Sequence, residues 1–110
     1  MTGLEQTQKW RALIRDLRKH FPVAQEVTIR RRVVSGKKTP SGLTIFNGRS
    51  YWVRVKANQD WQGQVDALLH EWAHVRCIEE AYNHGAHWAT TYGEIYNVWT
   101  RDFKPLTGDK

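Results

Sequence analysis

The chain has one cysteine, Cys77, so it has no means of forming an internal disulfide. A reducing, cytoplasmic setting is the simplest expectation. No apolar run approaches the roughly 18 residues that a membrane-spanning helix needs. The first residues, Met1-Thr2-Gly3-Leu4-Glu5-Gln6, lack the charged-then-apolar order of a signal peptide. Internal repeats, linkers and low-complexity tracts are absent as well. Acid is missing where it would be most noticed: between Arg30 and Lys56 there are eight cations and no Asp or Glu.

What is present is ordinary globular material. The 110 residues are 40% apolar and 25% charged, enough for one domain spanning 1–110 with a single modest core. The net charge of +6 is unevenly spread. Residues 1–56 hold 13 Lys and Arg against Glu5, Asp16 and Glu26, whereas residues 57–110 hold four against eight acids. Such asymmetry points to a polyanionic partner, nucleic acid, for Arg30, Arg31, Arg32, Lys37, Lys38, Arg49, Arg54 and Lys56. A solvated sheet face accounts for the same cations equally well. No helix-turn-helix, zinc-finger or aromatic RNA-binding signature decides between the two.

Hydrophobic periodicity sets out an α+β order. Leu4, Trp10, Leu13, Ile14 and Leu17 fall at helical spacing over residues 4–20. Phe21-Pro22 ends that helix, because the residue before proline is pushed out of the helical region. His20 then sits in the last turn, where the helix dipole favours a cation. Residues 26–34 alternate as a strand, with Val27, Ile29 and Val33 on one face. "LTIF" (43–46) and "YWVRV" (51–55) flank Asn47-Gly48, a dipeptide suited to a tight hairpin. The expectation is a three-stranded, mostly antiparallel sheet. Asn58 and Asp60 are candidate caps for a helix over 60–81, whose Val65, Leu68, Leu69, Trp72 and Val75 form a core stripe. A last helix, 86–102, carries Trp88, Tyr92, Ile95, Tyr96 and Trp99 at steps of three and four.

Within the 60–81 helix lies "LLHEWAH" (68–74). Residues i and i+4 share a helix face, so His70 and His74 can point two imidazoles at one ion. Glu71 is turned away from His70 by about a hundred degrees and can flank that ion. There it would take a proton from a zinc-activated water and pass one to the leaving amine. Two structural helix histidines are the competing explanation. A zinc site also needs a third ligand, for which His84, His87 and Glu94 are the candidates.

The stretch "LLHEWAHVRCIEEAYNHGAHW" (68–88) resembles the core of the SprT-like (Spartan-type) zinc metallopeptidases. In that family His-Glu-x-x-His is followed by His-Gly-x-x-aromatic opening the next helix, here His84-Gly85-Ala86-His87-Trp88. The resemblance is strongest over 68–96. It implies a minimal zincin-like domain, with His70, His74 and His84 as zinc ligands and Glu71 as general base. It also implies action on nucleic-acid-associated proteins. Three departures stand out: the two histidine elements are only ten residues apart, no cysteine-rich ribbon follows, and residue 87 is His where many members carry an acid. Glu94, twenty residues beyond His74, matches instead the third-ligand distance of thermolysin-like enzymes. Cys77 reads as a small buried residue, and Tyr92 as a core residue or a group reaching toward an oxyanion.

The leading expectation is therefore a zinc-dependent metallopeptidase that grips extended peptide along a sheet edge. A non-peptidase zinc amidohydrolase and a non-catalytic basic zinc-containing or nucleic-acid-binding protein are the alternatives.

Overall fold

The computed structural model describes residues 1–36, 38–77 and 86–103. Helix α1 (Gly3–His20) is followed by β1 (Glu26–Arg32), β2 (Gly42–Phe46), β3 (Ser50–Lys56), α2 (Trp61–Arg76) and α3 (Ala86–Val98). A π-helical turn (Trp99–Phe103) closes the described chain. The class is α+β, as the periodicities predict, and no helix among the described residues is long and apolar enough to cross a membrane.

Helix α1 begins where Thr2 Oγ1 accepts from Glu5 N at 3.1 Å and donates to Glu5 Oε1 at 3.2 Å. Glu5 in the first turn and Arg18, Lys19 and His20 in the last suit the helix dipole. Trp10, Leu13 and Leu17 are buried, while Leu4, expected on the same face, is exposed at the fraying end. Phe21 caps the helix through its N–H to Leu17 O. Arg18 then donates to Val27 O at 2.8 Å, tying α1 to the first strand.

The sheet order is β1-β3-β2, which corrects the expectation of a mostly antiparallel sheet. β2 and β3 form the antiparallel hairpin, but β1 pairs with β3 in parallel, Val27 opposite Tyr51 and Ile29 opposite Val53. The cause is the 33–41 connection, long enough to carry the chain past β3's place to the far edge. Asn58 anchors that crossing: its Oδ1 accepts from Val34 N and its Nδ2 donates to Val34 O. It is therefore no helix cap; Asp60 is, accepting from Gly63 N at 2.8 Å.

The hairpin turns as its sequence predicts. Gly48 has φ +94°, and Asn47 Oδ1 accepts from the backbone N–H groups of Arg49 and Ser50. Glycine at the first central position supplies the positive φ that tight two-residue hairpin loops favour. β1 ends at Arg32, so Val33 falls outside it and is 79% exposed. Arg31 takes the inward position instead. Its guanidinium lies 5.1 Å from the centroid of the Trp10 ring and donates to Gln64 Oε1 and Thr7 Oγ1.

The core lies between the sheet and α1 and α2. Val27, Ile29, Tyr51, Val53 and Val55 meet Leu13, Leu17 and the α2 stripe Val65, Leu68, Leu69, Trp72 and Val75, every one buried. Trp72 also donates its indole N–H to Phe21 O at 3.0 Å. Helix α2 stops at Arg76, short of the expected residue 81, because Cys77 leaves helical geometry at φ −115°, ψ 67°. The remainder of that expected helix, 78–81, lies outside the described residues.

Candidate active site

Helix α2 positions the site, and its packing decides which faces are free for chemistry. With Leu68, Leu69 and Trp72 committed to the core, His70 and His74 turn toward α3, and Glu71 turns toward β2. The Nε2 atoms of His70 and His74 are 3.2 Å apart. Two corners of a tetrahedron with metal–nitrogen bonds of about 2.0–2.1 Å lie roughly 3.3–3.4 Å apart. The separation therefore matches two ligand positions of a zinc ion, and in the metal-free structure it is also that of a hydrogen bond between the two rings. His74 is buried and His70 is about one-third exposed, so one ring is fixed and the other reaches solvent.

Aromatic side chains hold the rings. The Trp88 indole stacks on His74 at 5.3 Å between centroids and meets His70 edge-on at 4.9 Å. Tyr92, one turn further along α3, contacts His70 at 5.7 Å and Trp88 at 5.1 Å. Both were expected in the core stripe of α3, and both are half-buried; their rings also form the wall behind the histidines. Burial raises the Tyr92 phenol above its ordinary range, and the charges of Asp66 and Tyr96 add to the shift.

Glu71 is buried, with Oε2 3.9 Å from His70 Nε2. Its Oε1 accepts from Thr44 Oγ1 at 2.7 Å. Burial pushes the Glu71 carboxyl above the usual carboxylate range, and the Thr44 hydrogen bond pulls the other way. Gly42, two residues earlier on β2, leaves the room that the carboxylate occupies. A Cβ there would lie 2.8 Å from Glu71 Cγ and Oε2. Neither Gly42 nor Thr44 is singled out by the sequence. The only trace of them is a Gly and a Thr in an otherwise apolar strand, and it becomes readable only once the register is known.

These groups open onto a cavity of about 460 Å³ lined by His70, Glu71, Tyr92, Asp66 and the β2 approach Pro40-Ser41-Gly42. Of the candidate third ligands, His87 and Glu94 are both exposed on α3. Among the described residues, no group of three or more His, Cys, Asp or Glu side chains is assembled that could hold a metal ion. His84 lies outside the described residues. Cys77 is buried, as expected, and its Sγ donates to Thr91 Oγ1 at 3.2 Å, joining the end of α2 to α3.

Of the basic residues, Arg30, Arg32, Lys38 and Arg49 are exposed, and Arg54 and Lys56 are partly so. Arg31 is turned inward, and Lys37 lies outside the described residues. Comparison with known proteins gave no matching family model, no matching curated protein and no matching solved structure.

Proposed function

We propose that this protein is a zinc-dependent metallopeptidase of the SprT-like kind, with His70 and His74 as two zinc ligands, His84 as the third and Glu71 as general base. The observation that carries the reading is the 3.2 Å convergence of the two Nε2 atoms beside the Glu71 carboxylate, at the wall of an open cavity. Zinc, when bound, supplies a Lewis acid that acidifies water and polarises a carbonyl.

The remaining work falls to the chain itself. Glu71 is suited to holding a proton at Oε2, because burial favours its neutral form while Thr44 fixes the other oxygen. The raised carboxyl value brings it closer to the neutral range in which a general base works best. Trp88 and Tyr92 keep the imidazoles in register. β2 is an edge strand of the sheet and runs past the cavity with Gly42 and Thr44 against Glu71. An extended substrate peptide pairing with that edge would carry its backbone across the general base.

The test is metal content joined to activity. Protein loaded in zinc-containing medium should carry one zinc per chain, and His70→Ala or His74→Ala should lose it. Glu71→Gln should keep the zinc and cut the cleavage of an unstructured protein such as casein by about 10²–10⁴-fold, the usual scale for general base catalysis. A chain that takes up no stoichiometric zinc ends the enzyme reading. Unchanged cleavage by Glu71→Gln ends this mechanism. His84→Ala should release zinc and Glu94→Ala should retain it; the reverse result moves the third ligand to α3.

A further inference from the structure

The sheet's outer face is separate from the cavity and differs from an ordinary solvated surface. Strand alternation sends Val27, Ile29, Tyr51, Val53 and Val55 to the core, so Arg30, Arg32, Trp52, Arg54 and Lys56 point outward. The parallel register then sets Arg30 directly opposite Arg54, and Arg32 directly opposite Lys56. Like charges placed opposite one another destabilise a sheet. Nothing in the described structure relieves this: none of the four makes an ion pair with an acid among the described residues. The Arg54 Nε, removed from solvent, has no hydrogen-bond partner among them either. Glu26 stands at the opposite end of β1, beside Ser50.

One row from the cation grid is Trp52, 37% exposed, between Thr28 on β1 and Ile45 on β2. Its indole is set into a sheet surface and is only partly uncovered, which suits stacking better than insertion into a bilayer. Outward residues of one strand repeat every ~6.8 Å, and adjacent strands lie ~4.8 Å apart. That repeat is comparable to the step between successive phosphates of an extended strand. A duplex would instead need a helix or ribbon that enters a groove, and this face offers neither.

We propose that this face binds a single strand of nucleic acid, its phosphates on Arg30, Arg32, Arg54 and Lys56 and one base stacked on Trp52. The combination of a cationic track with an aromatic platform is the sequence-tolerant mode of single-strand recognition. The site does not depend on the peptidase reading, since no residue of the zinc site takes part. It explains why the fold keeps four mutually repelling cations in register.

The experiment is fluorescence anisotropy with a labelled thymidine oligomer of about 16 nucleotides, the upper end of single-strand site sizes. It is run on the full chain with a chelator present. Arg30→Gln/Arg54→Gln should weaken binding at least tenfold and reduce the salt slope of log K by about 1.4, two phosphates at roughly 0.7 each. The same variant should melt higher than the parent, because the repulsion is gone. Trp52→Leu should weaken binding roughly tenfold, while Trp52→Phe restores most of it. A control of equal charge, Arg11→Gln/Lys19→Gln on α1, should change affinity little, and Glu71→Gln should bind as the parent does. Equal losses from the α1 control would reduce the effect to net charge and overturn the proposal. A Trp52→Leu variant that binds unchanged would overturn it too. So would tighter binding to a duplex of the same length, or to vesicles rich in phosphatidylserine.

Discussion

At Glu71, burial and hydrogen bonding act in opposite directions: removal from water disfavours the charge, and Thr44 Oγ1, 2.7 Å from Oε1, favours it. Burial is the larger effect, so the folded-state value lies above the ordinary one. The folded chain therefore holds this proton to higher pH than the unfolded chain does, and stability falls as pH rises through the raised value. In metal-free protein, Glu71→Gln should gain stability relative to the parent as pH rises from about 4 to about 8, because only the parent acquires a charge that it must bury. Urea midpoints at the two pH values check this; a variant that instead loses ground with rising pH would contradict it. His70, Glu71 and His74 were legible because a helix makes positions i, i+1 and i+4 geometrically unambiguous. Thr44 was not. In "LTIF" the apolar Leu43 and Ile45 compete for the core face with Thr44 and Phe46, yet the structure buries Thr44 and leaves Ile45 45% exposed. A strand's period of two does not say which of its faces is the inner one.

Elements met their expectations where local chemistry closed the question. The α1 span, the Asp60 cap and the Gly48 turn rest on contacts within a few residues of chain, and the α2 stripe follows from helical period alone, although its partners are distant in sequence. The strand order does not, because which edge of β3 receives β1 depends on how α1 packs and where residues 33–41 cross. β2 is the element through which the sheet acts on the site, and at Gly42 the Glu71 side chain fills the space that a Cβ would take. Gly42→Ala suits strand geometry but sets a methyl group against Glu71 Cγ and Oε2. Overpacking of this kind costs about 1–3 kcal/mol. Cleavage should suffer more, by about 10²-fold, since a shift of an ångström in a catalytic group has that effect. Zinc content should stay at the parent level, because the atoms nearest an added methyl group belong to Glu71 and not to either histidine. Thermal melts, zinc content and casein cleavage measured together would show it; parent-level cleavage would contradict the proposed place of Glu71.

For the whole molecule, charge is partitioned as the sequence predicts, and the sheet's outer face carries much of the surplus. Raising ionic strength from about 0.02 to about 0.2 M shortens the screening distance from roughly 20 to 7 Å. The melting temperature should then rise by a few degrees, as self-repulsion falls by a fraction of a kcal/mol. A melting temperature that drops with salt would mean that attractive pairs dominate instead. The central position of β3 has one more consequence, for the order in which the chain assembles. The β2–β3 hairpin closes over a two-residue turn and needs no other element to align it. β1 should join after that hairpin, because its partner is the strand on the far side of the 33–49 excursion. Hairpins form in about 1–10 μs, whereas closing longer loops adds an entropic barrier before any contact rewards it. Until β1 docks, β3 presents an unsatisfied row of backbone groups, and the arrival of β1 and its tethered helix moves that open edge from an apolar strand to one guarded by Arg30, Arg31 and Arg32.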